Sequence, residues 1–119
     1  MRHSQWFMLM AAAGTLLATP LIADEIDTAN DVNCYIVYAQ IASKPGKQQA
    51  PAYLGLMYWT GRLDGRTPKL DLENRIITAT PKLTQERFQS EALRCGAELS
   101  ARGRAITQMG EELIKREKK

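Results

Sequence analysis

KLTQERFQSEALRCGAELSARGRAITQMGEELIKR, residues 82–116, is the stretch from which the architecture of this chain can be worked out. Apolar side chains recur in it at alternating spacings of four and three, which places them on one face of a helix. This row, which we call the seam, consists of Phe88, Ala92, Cys95, Leu99, Arg102, Ile106, Met109 and Leu113. Its spacing predicts a long C-terminal helix against which the other helices pack.

Three glycines follow the seam at intervals of seven residues: Gly96, Gly103 and Gly110. A glycine inside a helix costs about 1 kcal/mol relative to alanine. Close approach of a neighbouring backbone is the physical reason for accepting that cost. We therefore expect other helices to lie along this side of the seam.

The N-terminus has the features of a secretory signal peptide. A weakly basic start precedes an apolar run from Trp6 to Ala18, which has the length of a signal-peptide core. We expect cleavage after Ala23, which leaves residues 24–119 as a single domain, periplasmic or secreted. An uncleaved membrane anchor is the alternative, but it requires about 20 apolar residues, and Pro20 argues against it. We expect no stable membrane insertion after cleavage.

The mature chain would contain two cysteines, Cys34 and Cys95. A domain of under about a hundred residues gains little from its core and benefits from a covalent link. An even number of cysteines in an exported protein indicates a disulfide. Two free, buried thiols are the alternative.

Charge gives no evidence for a nucleic-acid partner. Sixteen Lys and Arg residues less Arg2 leave fifteen cations against thirteen carboxylates, a net charge of +2. That value is too small, and the two signs too evenly mixed, to indicate binding to nucleic acid or to an anionic membrane.

Two helices are expected early in the mature chain. The first should start from a cap at Asp27 or Thr28 and run to about Ser43. The second should follow the Pro-Gly loop and cover residues 49–64. Because it is apolar almost all the way round, it is expected in the middle of the fold.

A third helix is predicted between the second helix and the seam. Residues 70–78 carry apolar side chains at helical spacing, and Asp71 is a suitable cap. A strand is the alternative, but it would lack a partner strand. The fold class is therefore all-α: a small bundle of about four helices with one disulfide.

Residue types exclude most catalytic chemistry in the mature chain. His3 is the only histidine, and it leaves with the signal peptide. Nucleophile–histidine systems and imidazole metal sites are then excluded. Cys34 and Cys95 are too far apart for Cys-x-x-Cys chemistry. We expect no enzyme activity, no cofactor and no metal.

Arg102 is the only polar member of the seam. One interpretation is that its stem packs while its guanidinium reaches solvent. The other is a buried ion pair, for which Asp64 is the first candidate. A third interpretation is that Arg102 binds a ligand.

Tyr58 and Trp59 belong to an aromatic cluster in the second helix, together with Tyr53 and Met57. At helical spacing in a small domain such a cluster is more often core than the lining of a ligand groove. If Tyr58 or Trp59 is exposed, it would mark a surface for a protein partner.

Three resemblances bear on function. The arrangement of Cys34 in the first helix and Cys95 in a later one resembles the periplasmic acid-stress chaperones of the HdeA type. That resemblance implies that protonation of carboxylates loosens the fold and opens apolar faces to unfolding clients. Tyr58-x-x-Gly61-x-x-Asp64 is similar to a stretch in periplasmic immunity proteins of the Tai type, which also place a cysteine just before the tyrosine; residues 54–57 contain none. MYWTGRLDGR, residues 57–66, resembles small uncharacterised exported helical proteins, which implies no function.

We therefore expect a non-enzymatic protein that binds or protects other envelope proteins, with a stress chaperone as one form of that role. The alternatives are a specific inhibitor or immunity-type protein with one partner, and a structural envelope protein. The partner's identity does not follow from the sequence. The seam closes either within the chain or against a second copy, which would make a homodimer.

Overall fold

The computed structural model describes residues 19–119, with side chains from Ile22 onward. The described chain is all-α. It consists of α1 (Thr19–Ala42), α2 (Gln49–Arg66), α3 (Leu72–Ala79), a 3₁₀ turn (Thr80–Lys82) and α4 (Gln85–Glu117). The predicted fold class is confirmed, and so is the Cys34–Cys95 disulfide. No helix within the described range is long and apolar enough to cross a membrane.

Helix α1 begins earlier than the sequence indicated. It is already helical at Thr19, whereas Asp27 or Thr28 was expected to cap it. Thr28 is instead buried within α1, and its hydroxyl shares a hydrogen bond of 3.1 Å with the hydroxyl of Thr67, just beyond α2. This tertiary contact occupies the side chain that would have capped the helix. The apolar run predicted as the signal core lies outside the described residues, and the predicted cut after Ala23 falls inside α1.

The loop and the caps follow the local sequence closely. Gly46, in the loop between α1 and α2, has φ of 143°, a conformation that glycine adopts without strain. The Asp71 carboxylate accepts a hydrogen bond of 3.2 Å from the backbone N–H of Asn74 at the start of α3. Thr84 caps α4 in the same way, accepting from the N–H of Arg87. The 70–78 segment is thus a helix, as predicted.

The core lies along α1, not α2. Val32, Ile36 and Val37 of α1 are almost fully buried. Helix α2 contributes a single buried stripe at a spacing of three and four: Ala52, Gly55, Trp59 and Leu63. Its opposite face is open to solvent, with Leu54 and Met57 each 70% exposed. The expectation that α2 lies in the middle was wrong, because only α1 covers its apolar surface extensively.

The seam of α4 is covered over only half of its length. Phe88, Ala92 and Leu99 are partly buried, and Cys95 is the only fully buried residue of α4. Beyond Leu99 no seam residue is buried, and only Arg102 comes near the body, where it borders a shallow open pocket with Tyr58 and Arg62. Ile106, Met109 and Leu113 remain 62%, 64% and 55% exposed. The first half of α4 therefore belongs to the folded body, and the second half extends from it.

The glycines beside the seam do not have the neighbours expected of them. A Cβ built on Gly96 would lie 3.7 Å from the Tyr38 hydroxyl, an ordinary contact. Gly103 and Gly110 face open space. The glycine with the closest neighbour is Gly55 in α2, where a Cβ would lie 2.5 Å from the Tyr38 ring. Within the described chain, the predicted packing of other helices beside these glycines is therefore found only at Gly96.

Candidate protein-binding groove

The disulfide anchors an aromatic cluster where α1, α2 and α4 meet. Cys34, Cys95 and Trp59 are all fully buried and pack against one another, with Tyr38 and Leu99 at the edge. The Trp59 indole N–H is buried without a hydrogen-bond partner among the described residues. A buried unpaired donor costs about 1–3 kcal/mol, so burial of the large ring in this cluster must outweigh that cost.

An arginine covers the outer side of the disulfide. The Arg94 guanidinium donates hydrogen bonds to the carbonyl oxygen of Asn30 at 3.1 Å and to Cys34 Sγ at 3.3 Å. It also donates to the carboxylate of Glu91, one turn earlier in α4. Helix α4 is thus held to α1 by a covalent bond and by a polar clamp beside it.

A second polar network joins α1, α2 and α4. Asp31 is only 2% exposed and accepts hydrogen bonds from Arg62 Nε at 3.3 Å and from Arg66 Nη1 at 2.7 Å. Arg62 also donates to the Tyr58 hydroxyl and to the carboxylate of Glu98 in α4. Two arginines therefore compensate one buried carboxylate, which satisfies the rule that a buried charge must be paired.

Arg62 stays charged throughout this network. Partial burial by itself lowers the pKa of the Arg62 guanidinium. The hydrogen bond to Tyr58 and the charges of Asp31 and Glu98 outweigh this effect, and the pKa lies above its ordinary value. The guanidinium also lies 5.6 Å from the centre of the Trp59 ring, within range of a cation–π contact.

Of the interpretations of Arg102, the buried ion pair with Asp64 is contradicted by the structure. Both residues are exposed, and neither forms an ion pair within the described part of the chain. The buried carboxylate of the structure is Asp31 on α1, and it is paired with Arg62 and Arg66 rather than with Arg102. Asp31 stands between Asn30 and the pair Val32-Asn33, in a largely polar part of α1, so its burial has no clear signal in the sequence.

The two aromatic residues proposed as a partner surface differ in position. Trp59 is fully buried, so it belongs to the core. Tyr58 is partly buried, with its ring edge-on to Trp59 at a centroid distance of 4.7 Å, and its hydroxyl accepts from Arg62. The exposed apolar side chains of α2 are Tyr53, Leu54 and Met57.

An open groove of about 670 Å³ lies between α1, α2 and α4. Tyr38 and Ile41 of α1 form its floor. Leu54 and Gly55 line the α2 side, and α4 contributes the small or apolar residues Ala92, Gly96 and Leu99. No Asp, Glu, Lys or Arg lines the groove. Burial raises the pKa of the Tyr38 phenol above its ordinary value, so this floor residue is neutral at physiological pH.

Sequence reasoning did not identify the groove, although Gly55 gave a signal. It interrupts an apolar helix, where glycine is unfavourable without a packing reason. The structure supplies that reason, since the Tyr38 ring occupies the space of the missing side chain. With a larger residue at position 55, Tyr38 could not lie between the two helices as the floor of the groove.

A second cleft, of about 480 Å³, lies between the first half of α1 and the α3–α4 connection. Its rim carries Arg75, Lys82 and Arg87, and its floor includes Val32. An ion pair of 2.7 Å between Arg75 and Glu25 crosses the rim. The cleft therefore holds a carboxylate of its own chain and offers less free surface than the groove.

Metal binding has one geometric candidate within the described chain. The sulfur atoms of Cys34 and Cys95 and a carboxylate oxygen of Glu91 lie within 4.8 Å of one another. The two sulfurs are joined in the disulfide, so neither offers the thiolate that a metal requires. The expectations of no cofactor and no enzyme activity stay predictions.

Comparison with known proteins gives no relative from which to assign a function. The chain matches no family model, and neither curated proteins nor solved structures show a significant similarity to it.

Proposed function

We propose that this protein is a non-enzymatic, exported helical protein that binds apolar segments of other envelope proteins and protects them. The groove between α1, α2 and α4 is the observation that carries this proposal. It is open to solvent, lined mostly by apolar and small residues with Gln48 at one end, and free of charged side chains. A groove of this kind suits an amphipathic helix that inserts one apolar face between two helices.

The free energy that the groove can contribute to binding favours a transient complex. Burial of one Leu- or Phe-sized side chain contributes about 1.5–3 kcal/mol, and the groove has room for two or three such side chains. Association costs at least about 4 kcal/mol in lost freedom of motion. The surplus is at most about 5 kcal/mol, which corresponds to weak binding with a dissociation constant of about 0.2 mM or weaker. Such affinity suits protection of many unfolding clients better than tight inhibition of one partner.

The exposed face of α2 extends the surface available to a client. Leu54 stands at the rim of the groove, and Met57 lies one turn further on, each 70% exposed. Methionine and leucine side chains adapt to different apolar surfaces, which is the property required for binding clients of varied sequence. A stress chaperone of the envelope is the form of the proposed role that this surface supports best.

Two matched glycine substitutions test the proposal. Gly96→Leu would place an isobutyl group in the groove, and the nearest atom to its Cβ, the Tyr38 hydroxyl, is at an ordinary distance. Gly61→Leu makes the same change on α2, where Gly61 has open space around it. Both exchanges improve helix propensity by a similar amount, so the two variants differ only in whether the groove is filled.

The measurement is light scattering from a client that aggregates without a reducing agent, at neutral and at acid pH, because a reductant would also open the Cys34–Cys95 bond that holds α4 at the groove. We expect the natural chain and Gly61→Leu to suppress aggregation, and Gly96→Leu to lose at least half of that effect. Suppression that is equal in all three proteins would place binding outside the groove. No suppression by the natural chain at either pH would reject the chaperone role. In that case, recovery of one stoichiometric partner from envelope extract would favour an inhibitor or immunity-type protein.

A further inference from the structure

The second half of α4 is a helix without support. We call residues 100–117 the tail. All of its residues except Gly110 are exposed. Its first turns border the body, but its apolar residues Ile106, Met109 and Leu113 are more than half exposed and line no pocket with the rest of the described chain. At 1.5 Å per residue the tail is about 27 Å long. An isolated helix of this length is only marginally stable in water, so an apolar row along it indicates a covering partner.

We infer that the partner is a second copy of this chain, whose tail pairs antiparallel with the first along the seam. The seam residues of the tail are spaced by four, three and four, so the spacing is the same when the helix is read in the opposite direction. If Ile106 lies opposite Met109 of the second copy, the two-fold relation also sets Met109 opposite Ile106 of that copy. Arg102 and Leu113 then face each other in the same reciprocal way. An antiparallel pair with this register has an apolar residue in every layer.

The length of the tail, residues 100–117, is also consistent with this register. In it, the last helical residue of one copy, Glu117, lies beside Glu98 of the other. Leu99 is the last seam residue that packs against the body of its own chain. Each tail therefore runs from the end of its own body to the beginning of the other body. A tail one heptad longer would meet the folded body of the second copy, and a shorter one would lose a layer.

Charge supports the pairing at the only polar layer. Arg102 forms no ion pair among residues 19–119. In the proposed register it packs its stem on Leu113 of the second copy, and its guanidinium comes beside Glu112 of that copy. Antiparallel helices also place opposite ends of their dipoles side by side. The polar residue of the seam thus acquires a partner of opposite charge.

The two unexplained glycines fit the same arrangement. Gly103 and Gly110 are unfavourable in a helix, and both face open space in the single chain. In the antiparallel pair Gly103 of one copy lies beside Gly110 of the other. With no side chain on either residue, the two helix axes can approach closely on that flank.

The size of the contact indicates a dimer that forms and separates readily. Two helices in contact over about 27 Å bury about 300–400 Å² each, and the end of each tail adds a contact with the other body. The total of about 1,000 Å² is at the lower limit for a specific interface. We expect a dissociation constant in the micromolar range. This surface is separate from most of the groove, so the inference goes beyond the proposed function.

Sedimentation velocity of the exported full chain, over about 1–300 µM, tests the inference. Ile106 and Ile114 are matched, since they have the same side chain on the same tail and are 62% and 56% exposed. Only Ile106 belongs to the seam. We expect the natural chain and Ile114→Asp to form dimers with rising concentration, and Ile106→Asp to weaken dimerisation at least tenfold. Trp59 fluorescence should be unchanged in both variants, because the tail does not contact the body core.

Three results would overturn the inference. The first is a natural chain that stays monomeric over the whole concentration range. In that case another segment or another protein would cover the seam. The second is equal behaviour of Ile106→Asp and Ile114→Asp. The third concerns orientation: a spin label at residue 118 should lie more than about 25 Å from its counterpart in an antiparallel pair, and a short separation would indicate parallel helices.

Discussion

Removal of the disulfide should release α4 from the body and cost a large part of the stability of the domain. The change is the double substitution Cys34→Ala with Cys95→Ala. The bond joins residues 61 apart in sequence. In the chain-entropy model, loss of a closed loop of that size corresponds to about 4 kcal/mol. Small domains have a total free energy of unfolding of about 5–15 kcal/mol, so this single bond is a large fraction of it.

The structure predicts that this loss falls unevenly on the fold. Cys95 is the only fully buried residue of α4, and the other seam contacts with the body are partly buried. Helices α1 and α2 keep their own contacts, including the Asp31 ion pairs. We therefore expect α4 to separate at a lower denaturant concentration than the α1–α2 pair unfolds, so that one cooperative transition becomes two.

Guanidinium denaturation followed by two signals measures this. Trp59 fluorescence reports the disulfide cluster, and far-UV circular dichroism reports total helix; Trp6→Phe removes the other tryptophan if the signal peptide is retained. The reduced natural chain is the control, because it keeps both sulfur atoms and loses only the bond. It should behave like the double-alanine variant. A decrease in the free energy of unfolding below about 1 kcal/mol, or coincident transitions, would refute the reasoning.

Three further predictions follow from individual contacts. Gly55→Ala should destabilise the fold by about 1–3 kcal/mol, because the new Cβ would lie 2.5 Å from the Tyr38 ring; Gly61→Ala, in open space, should be neutral or stabilising in the same denaturation experiment. Asp31→Asn should lower the free energy of unfolding by about 2–3 kcal/mol, which is at or below the low end for a buried ion pair because both arginines keep contact with water. The same exchange at the exposed Asp64 should change the stability little. Equal effects of the two substitutions would argue against the network. Burial raises the pKa of Tyr38 above that of an unfolded tyrosine, about 10. The native state therefore holds this proton longer than the unfolded state does, and the free energy of unfolding should fall as pH rises beyond that value. Tyr38→Phe should remove this alkaline loss, and a loss that persists in the variant would contradict the assignment.

The elements that were predicted correctly are those encoded by nearby residues. The cap at Asp71, the Pro-Gly loop at Gly46 and the length of α4 all depend on local backbone chemistry, which the sequence displays directly. The disulfide could be predicted because the chain has only two cysteines. Each of these inferences needs little or no knowledge of which surfaces meet.

The errors have one physical origin. Periodicity identifies the apolar face of a helix, but it does not say what covers that face. Helix α2 is apolar all round and was expected in the middle, yet one of its faces is exposed. The seam predicted one continuous contact, and only its first half is covered within the chain. The partner of Asp31 could not be found either, because its arginines are 31 and 35 residues away.

Because α4 is attached to the body near Cys95, a small tilt there moves the far end of the helix by a larger distance. From Cys95 to Glu117 the helix extends about 33 Å, and a tilt of about 10° at the disulfide would move its tip by about 6 Å. A slight loosening of the clamp formed by Arg94 and Glu91 is thus converted into a displacement larger than a helical turn. The position of the tip therefore depends on the geometry beside the sulfur atoms, about 33 Å away.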